Sequence, residues 1–114
     1  LNLNTSTTLT KAGTSTGLSQ STGIARKTTE ATATVTVFDA ANFADDKASK
    51  IYIKNTSSTA TEFITLFVNS EKIGRLYAGD WAFLPYSAEP DTNDFKYVPS
   101  VSTALTIEYA LFYE

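Results

Sequence analysis

The sequence contains no cysteine, no histidine and no methionine, and only five glycines and three prolines in 114 residues. Without cysteine there are no disulfides and no thiolate metal ligands, so the fold must rest on apolar burial and backbone pairing. The same absence leaves the redox compartment open. Lacking both cysteine and histidine, the chain has no imidazole base, few routes to an activated nucleophile and none of the usual zinc or iron ligand sets. No apolar run approaches the roughly 20 residues that span a bilayer as a helix, which argues against a membrane protein of that kind. No basic segment followed by an apolar one opens the chain, so a signal peptide is expected to be absent or already removed. The formal charge is -3 with a pI near 4.8. A basic footprint for duplex nucleic acid is therefore missing, and none is expected as a partner.

Serine and threonine are abundant, together about a quarter of the chain. Threonine suits a pleated, half-buried surface because its branched Cβ restricts χ1. The strong helix formers are sparse. The length fits one domain.

Two regions differ in character. Residues 1–27 are polar and punctuated by Gly13, Gly17 and Gly23, with isolated apolar side chains at Leu9, Leu18 and Ile24. Such a segment buries too little to offset its ordering entropy. It reads as an extended N-terminal arm, either a tail or a strand-like segment that orders on a neighbouring subunit. Residues 28–114 read as the folded domain. Strands are expected over Thr32–Phe38, Lys50–Asn55, Glu62–Val68, Ile73–Tyr77, Trp81–Tyr86, Phe95–Val98 and Thr103–Tyr113. Ile51 and Ile53 alternate with Lys50, Tyr52 and Lys54, so the two sets face opposite ways. Glu62–Val68 is apolar on both faces, the pattern of a central strand. Ala40–Ser49 allows at most a single helical turn. Seven short strands without intervening helices predict an all-β fold, an antiparallel β-sandwich or jelly-roll-like domain. Ile51, Ile53, Phe63, Leu66, Phe67, Leu76, Phe83, Leu105, Ile107 and Leu111 are the expected core.

The segments Lys50-Ile51-Tyr52-Ile53-Lys54-Asn55, Ile73-Gly74-Arg75-Leu76-Tyr77-Ala78-Gly79-Asp80-Trp81 and Ile107-Glu108-Tyr109 resemble small structural proteins of tailed bacteriophages, marine and cyanobacterial phages in particular. Capsid decoration or cement proteins are among them. The resemblance covers residues 28–114 and is one of strand and turn texture. It implies a β-sandwich subunit on a virion, assembled in the host cytoplasm. The partners it implies are the major capsid protein or other virion proteins, with a homo-oligomer, a trimer, as the assembly. It carries no residue roles. The alternatives are a carbohydrate- or receptor-binding sandwich of a phage fibre or tail, and a tail or neck component.

Chemistry-bearing residues are few. Asp39, Asp45, Asp46, Asp80, Glu89, Asp91 and Asp94 fall in expected loops, where carboxylates act mainly as turn formers and solubilisers. A glycosidase would need two of them at a set separation. No Asp-x-Asp-x-Asp-Gly spacing marks a calcium loop. The expectation is no enzyme, no cofactor and no metal. Tyr77, Trp81 and Tyr86 flank the Gly79-Asp80 turn. If exposed, they form an aromatic surface able to stack on sugar rings. Against that, a lone tryptophan in a small domain is usually a core anchor, and Trp81 is read as one. Gly79 is expected to adopt a positive φ with Asp80 bonding backbone, and Gly74 to mark a bulge or a close backbone approach. Arg26-Lys27, Lys50 and Lys54 read as charges that discourage edge-to-edge aggregation. Asn4-Thr5-Ser6 and Asn55-Thr56-Ser57 match the glycosylation pattern by chance in so Ser/Thr-rich a chain.

Overall fold

The structure, a computed structural model, describes residues 17–114 together with Asn2 and Asn4. Nine strands run through the described residues. They are β1 (Gln20–Ser21), β2 (Ala25–Thr29), β3 (Val35–Phe38), β4 (Ser49–Asn55), β5 (Phe63–Val68), β6 (Glu71–Tyr77), β7 (Trp81–Tyr86), β8 (Phe95–Pro99) and β9 (Leu105–Tyr113). One 3-10 turn, Ala40–Asn42, is capped by the Asp39 carboxylate, which accepts from the Ala41 N–H.

β1 and β2 are two pieces of one edge strand. Both pair antiparallel with β9, and the break between them is Thr22–Ile24, where Gly23 sits at φ 74°. Thr22 keeps the ladder closed across the break: its N–H donates to Leu111 O and its hydroxyl accepts from Leu111 N–H. The two sheets run β2-β9-β4-β7 and β3-β8-β5-β6. The pairs β2–β9, β3–β8, β4–β7 and β5–β6 are nested inside one another. This is a long antiparallel ribbon, closed at the β5–β6 hairpin and rolled so that alternate pairs fall in opposite sheets. Eight strands arranged this way form a jelly roll.

Apolar alternation makes the core. β4 reads buried and half-buried in strict turn, with Ile51 and Ile53 inward and fully buried. They meet Ile64 and Leu66 of β5, Phe95 and Tyr97 of β8, and Leu105, Ile107 and Leu111 of β9 between the sheets. Leu76, also expected there, is buried. β5 lies inside its sheet, between β8 and β6. The Gly74 bulge is present: Leu66 pairs with Gly74 but Phe67 pairs with Lys72, leaving Ile73 as the extra residue. Gly79 adopts φ 82°, and Asp80 accepts from the Tyr77 N–H.

Three expected core residues are instead half-buried on outer sheet faces. Phe63 and Phe67 alternate with the inward Ile64 and Leu66, so they point away from the core. The Phe63 ring lies 5.2 Å from Tyr77, under the Arg75 guanidinium at 4.4 Å. Phe83 alternates with Ala82 and Leu84, both packed against the core, and meets Phe112 at 6.4 Å. Aromatic pairing and aliphatic stems cover outward rings enough to keep a strand apolar on both faces. The boundary expected after Lys27 falls inside β2. Residues 20–29 order on their own chain's β9, not on a neighbour alone; the earlier residues of the arm, apart from Asn2 and Asn4, lie outside the described residues. β7 accommodates Pro85 within its length because it is a sheet edge.

Candidate functional site

The three aromatics read as one surface are separated by the fold. The β6–β7 connection crosses from one sheet to the other. Tyr77, 44% exposed, therefore lies with Phe63 on the outer face of one sheet. Trp81, 56% exposed, lies on the outer face of the other, which overturns its reading as a core anchor. Tyr86 is buried, so it belongs to no exposed surface. Five positions separate it from Trp81 on one strand, and an odd interval puts two side chains on opposite faces. Its hydroxyl donates to Asn93 O, and burial, with the Asp94 and Asp39 charges adding, pushes its pKa up to about 12.

What the fold assembles instead is the outer face of the β2-β9-β4-β7 sheet. Since Ile51 and Ile53 point inward, Lys50, Tyr52 and Lys54 point outward, and antiparallel register gives their neighbours. One row across the sheet reads Trp81, Lys54, Glu108, Arg26. The next reads Phe83, Tyr52, Ala110, and the third Pro85, Lys50, Phe112, Ser21. Phe83 and Phe112 meet across β4, and Trp81 stands at the rim.

The charges on this face are unequally satisfied. Arg26 donates through both Nε and Nη2 to Glu108 Oε2 at 3.1 Å, and the Tyr52 hydroxyl donates to Oε1 at 2.9 Å. These bonds, Tyr52 first, hold the Glu108 carboxyl below its ordinary pKa. Burial, reinforced by that carboxylate, raises the Tyr52 hydroxyl. Among the described residues, no carboxylate lies within ion-pair distance of Lys50 or Lys54. With three cations against one bonded carboxylate, the face is basic on a chain of charge -3.

The loop carboxylates gather at one end of the sandwich, where the segments 39–48 and 87–94 meet. Ala40 N–H donates to Asp94 Oδ1, and Ala48 N–H to Glu114 Oε2. Asp46, with Asp45 behind it, raises the carboxyl pKa of exposed Glu89. A cleft of about 200 Å³ opens beside them, lined by Phe43, Lys47, Tyr113 and Glu114 among others; neither Asp46 nor Glu89 lines it. Asp80 stays apart in its turn. The Asn55-Thr56-Ser57 match is closed to modification as folded: Asn55 is fully buried and its amide donates to Leu76 O.

Sequence reasoning missed Phe83, Phe112 and Tyr52 as partners of Trp81. Period two alone places residues 81, 83 and 85 on one face and 50, 52 and 54 on another; register was needed to join them. Among known proteins, no family model and no curated protein matches this sequence.

Proposed function

We propose that the protein is a structural subunit of a virus particle, a capsid decoration or cement protein that binds the assembled head of a tailed bacteriophage. The observation that carries the reading is a jelly roll, an architecture found in viral capsid and lectin domains, with aromatic and basic side chains turned outward on both sheets. Aromatic residues and arginine are the groups enriched where proteins pack on one another. The resemblance of its strand and turn texture to phage structural proteins points the same way. A subunit that binds only the assembled head stabilises it by mass action. The test is whether the protein co-purifies with intact virions at a fixed, high copy number, and whether the free protein sediments with heads but not with unassembled capsid protein. Absence from purified virions overturns the reading.

A second reading, a carbohydrate- or receptor-binding module of a fibre or tail, is favoured by one observation, the exposure of the chain's single tryptophan on an aromatic sheet face.

A further inference from the structure

We infer that the outer face of the β2-β9-β4-β7 sheet binds an acidic polysaccharide, a chain of uronic-acid rings, along β4. The inference rests on the second reading and gives it a site and a ligand class.

Trp81 offers an exposed ring at the rim of the sheet, directly opposite Lys54 in register. A pyranose ring stacks through its C–H face and carries an exocyclic carboxylate at its edge. Stacked on Trp81, it leaves that edge beside Lys54. Side by side on β4 and β7, Tyr52 and Phe83 continue the apolar track to Lys50, flanked by Pro85 and Phe112. Lys50 and Lys54 are four residues apart, about 13 Å at strand rise, the reach of a short oligosaccharide. Among the described residues, neither ammonium group has a carboxylate within ion-pair distance; Glu108, bonded to Arg26 and Tyr52, acts on Lys54 only through space. The unmet charge on this face is therefore positive, and a neutral glycan leaves it unmet. A nucleic acid fits less well. Its affinity comes mainly from many neutralised phosphates, and two free lysines on an acidic chain supply few.

Trp81 is the only tryptophan, so its emission reports on this face alone. The test titrates the full chain with polygalacturonate, with the same polymer fully methyl-esterified, and with oligo(dT). Polygalacturonate is expected to shift the Trp81 emission saturably, and less so as salt rises. Lys54→Gln should weaken binding about two- to fivefold, the worth of an exposed ion pair. Trp81→Ala, followed by retardation in a polygalacturonate gel, should weaken it about tenfold, the worth of an aromatic stack. Lys72→Gln, on the opposite sheet, should leave it unchanged. Circular dichroism verifies that each outward-facing variant is folded. Equal binding of the methyl ester overturns the acidic ligand while leaving a carbohydrate-binding module standing. Silence toward both polymers overturns the inference and removes the support for that module. Tighter binding of oligo(dT) overturns it in favour of a single-stranded nucleic acid.

Discussion

Asn55 closes the inward row of β4 with a polar side chain that has no exposure. Its amide donates to the carbonyls of Leu76 and Glu62, its side-chain oxygen accepts from Ser57 N–H, and its backbone bonds to Gly79 and Asp80. One residue thus ties the end of β4 to the turn after it and to the β6–β7 turn. Asn55→Ala should cost about 1–3 kcal/mol, because the partner groups stay buried without a bond. Asn55→Asp should cost more at neutral pH, since a carboxylate would then face two carbonyl oxygens, and its deficit should shrink in acid as the carboxyl regains a proton. Urea denaturation at pH 7 and pH 4 measures both. Equal midpoints for the two variants at pH 7 would show that the amide donor has no importance.

At the scale of elements, the outer edge strand is the part whose membership in the fold matters most. β2 pairs through five consecutive residues with β9, and Arg26 adds its bonds to Glu108. A chain starting at Thr28 loses β1 and most of β2 and leaves the backbone of β9 unpaired along that edge. A chain starting at Gly17 keeps every strand described. The first should melt well below the full-length protein, the second close to it, in a thermal scan followed by circular dichroism. Identical melting of all three would mean that the β2–β9 ladder adds nothing to stability. Sedimentation of the Gly17 chain with heads then measures what residues 1–16 contribute to attachment, free of any effect on folding.

Over the whole molecule, charge is divided by position. The end built from residues 39–48 and 87–94 collects Asp39, Asp45, Asp46, Glu89, Asp91 and Asp94, with Lys47 among them and Lys96 paired to Asp94, while the sheet faces carry Arg26, Lys50, Lys54, Lys72 and Arg75. Like charges at the acidic end oppose folding once ionised. Asp46 and then Asp45 raise the pKa of Glu89 in the folded state, so folding favours its protonated form. The stability linked to that group is present at low pH and is lost as pH rises through the folded-state pKa. Glu89→Gln removes the ionised form and should raise the melting temperature at pH 7 slightly, with the difference vanishing near pH 3. A difference that persists in acid would assign the effect to packing instead of charge.

Strand identity was legible because it is local. Alternation along Ser49–Asn55, the turn residues Gly79 and Asp80, and the bulge at Gly74 each depend on a few consecutive side chains and on backbone sterics. Those signals determined an all-β chain and the inward face of β4. They did not settle Phe63, Phe67 and Phe83, because a strand apolar on both faces does not state which face meets the other sheet. Nor did they show that residues 20–29 belong to the domain: that segment is polar, and its order comes from the β9 backbone some 80 positions away. The candidate site was half legible. Trp81 stood out by its rarity, and an odd interval along the strand already separated it from Tyr86. Its neighbours Lys54, Phe83, Tyr52 and Phe112 come from three strands, and only the nested pairing of the rolled ribbon brings them onto one face. Sequence determines which way a side chain points within its own strand; which strands lie beside it is decided by the burial of a core shared by the whole chain.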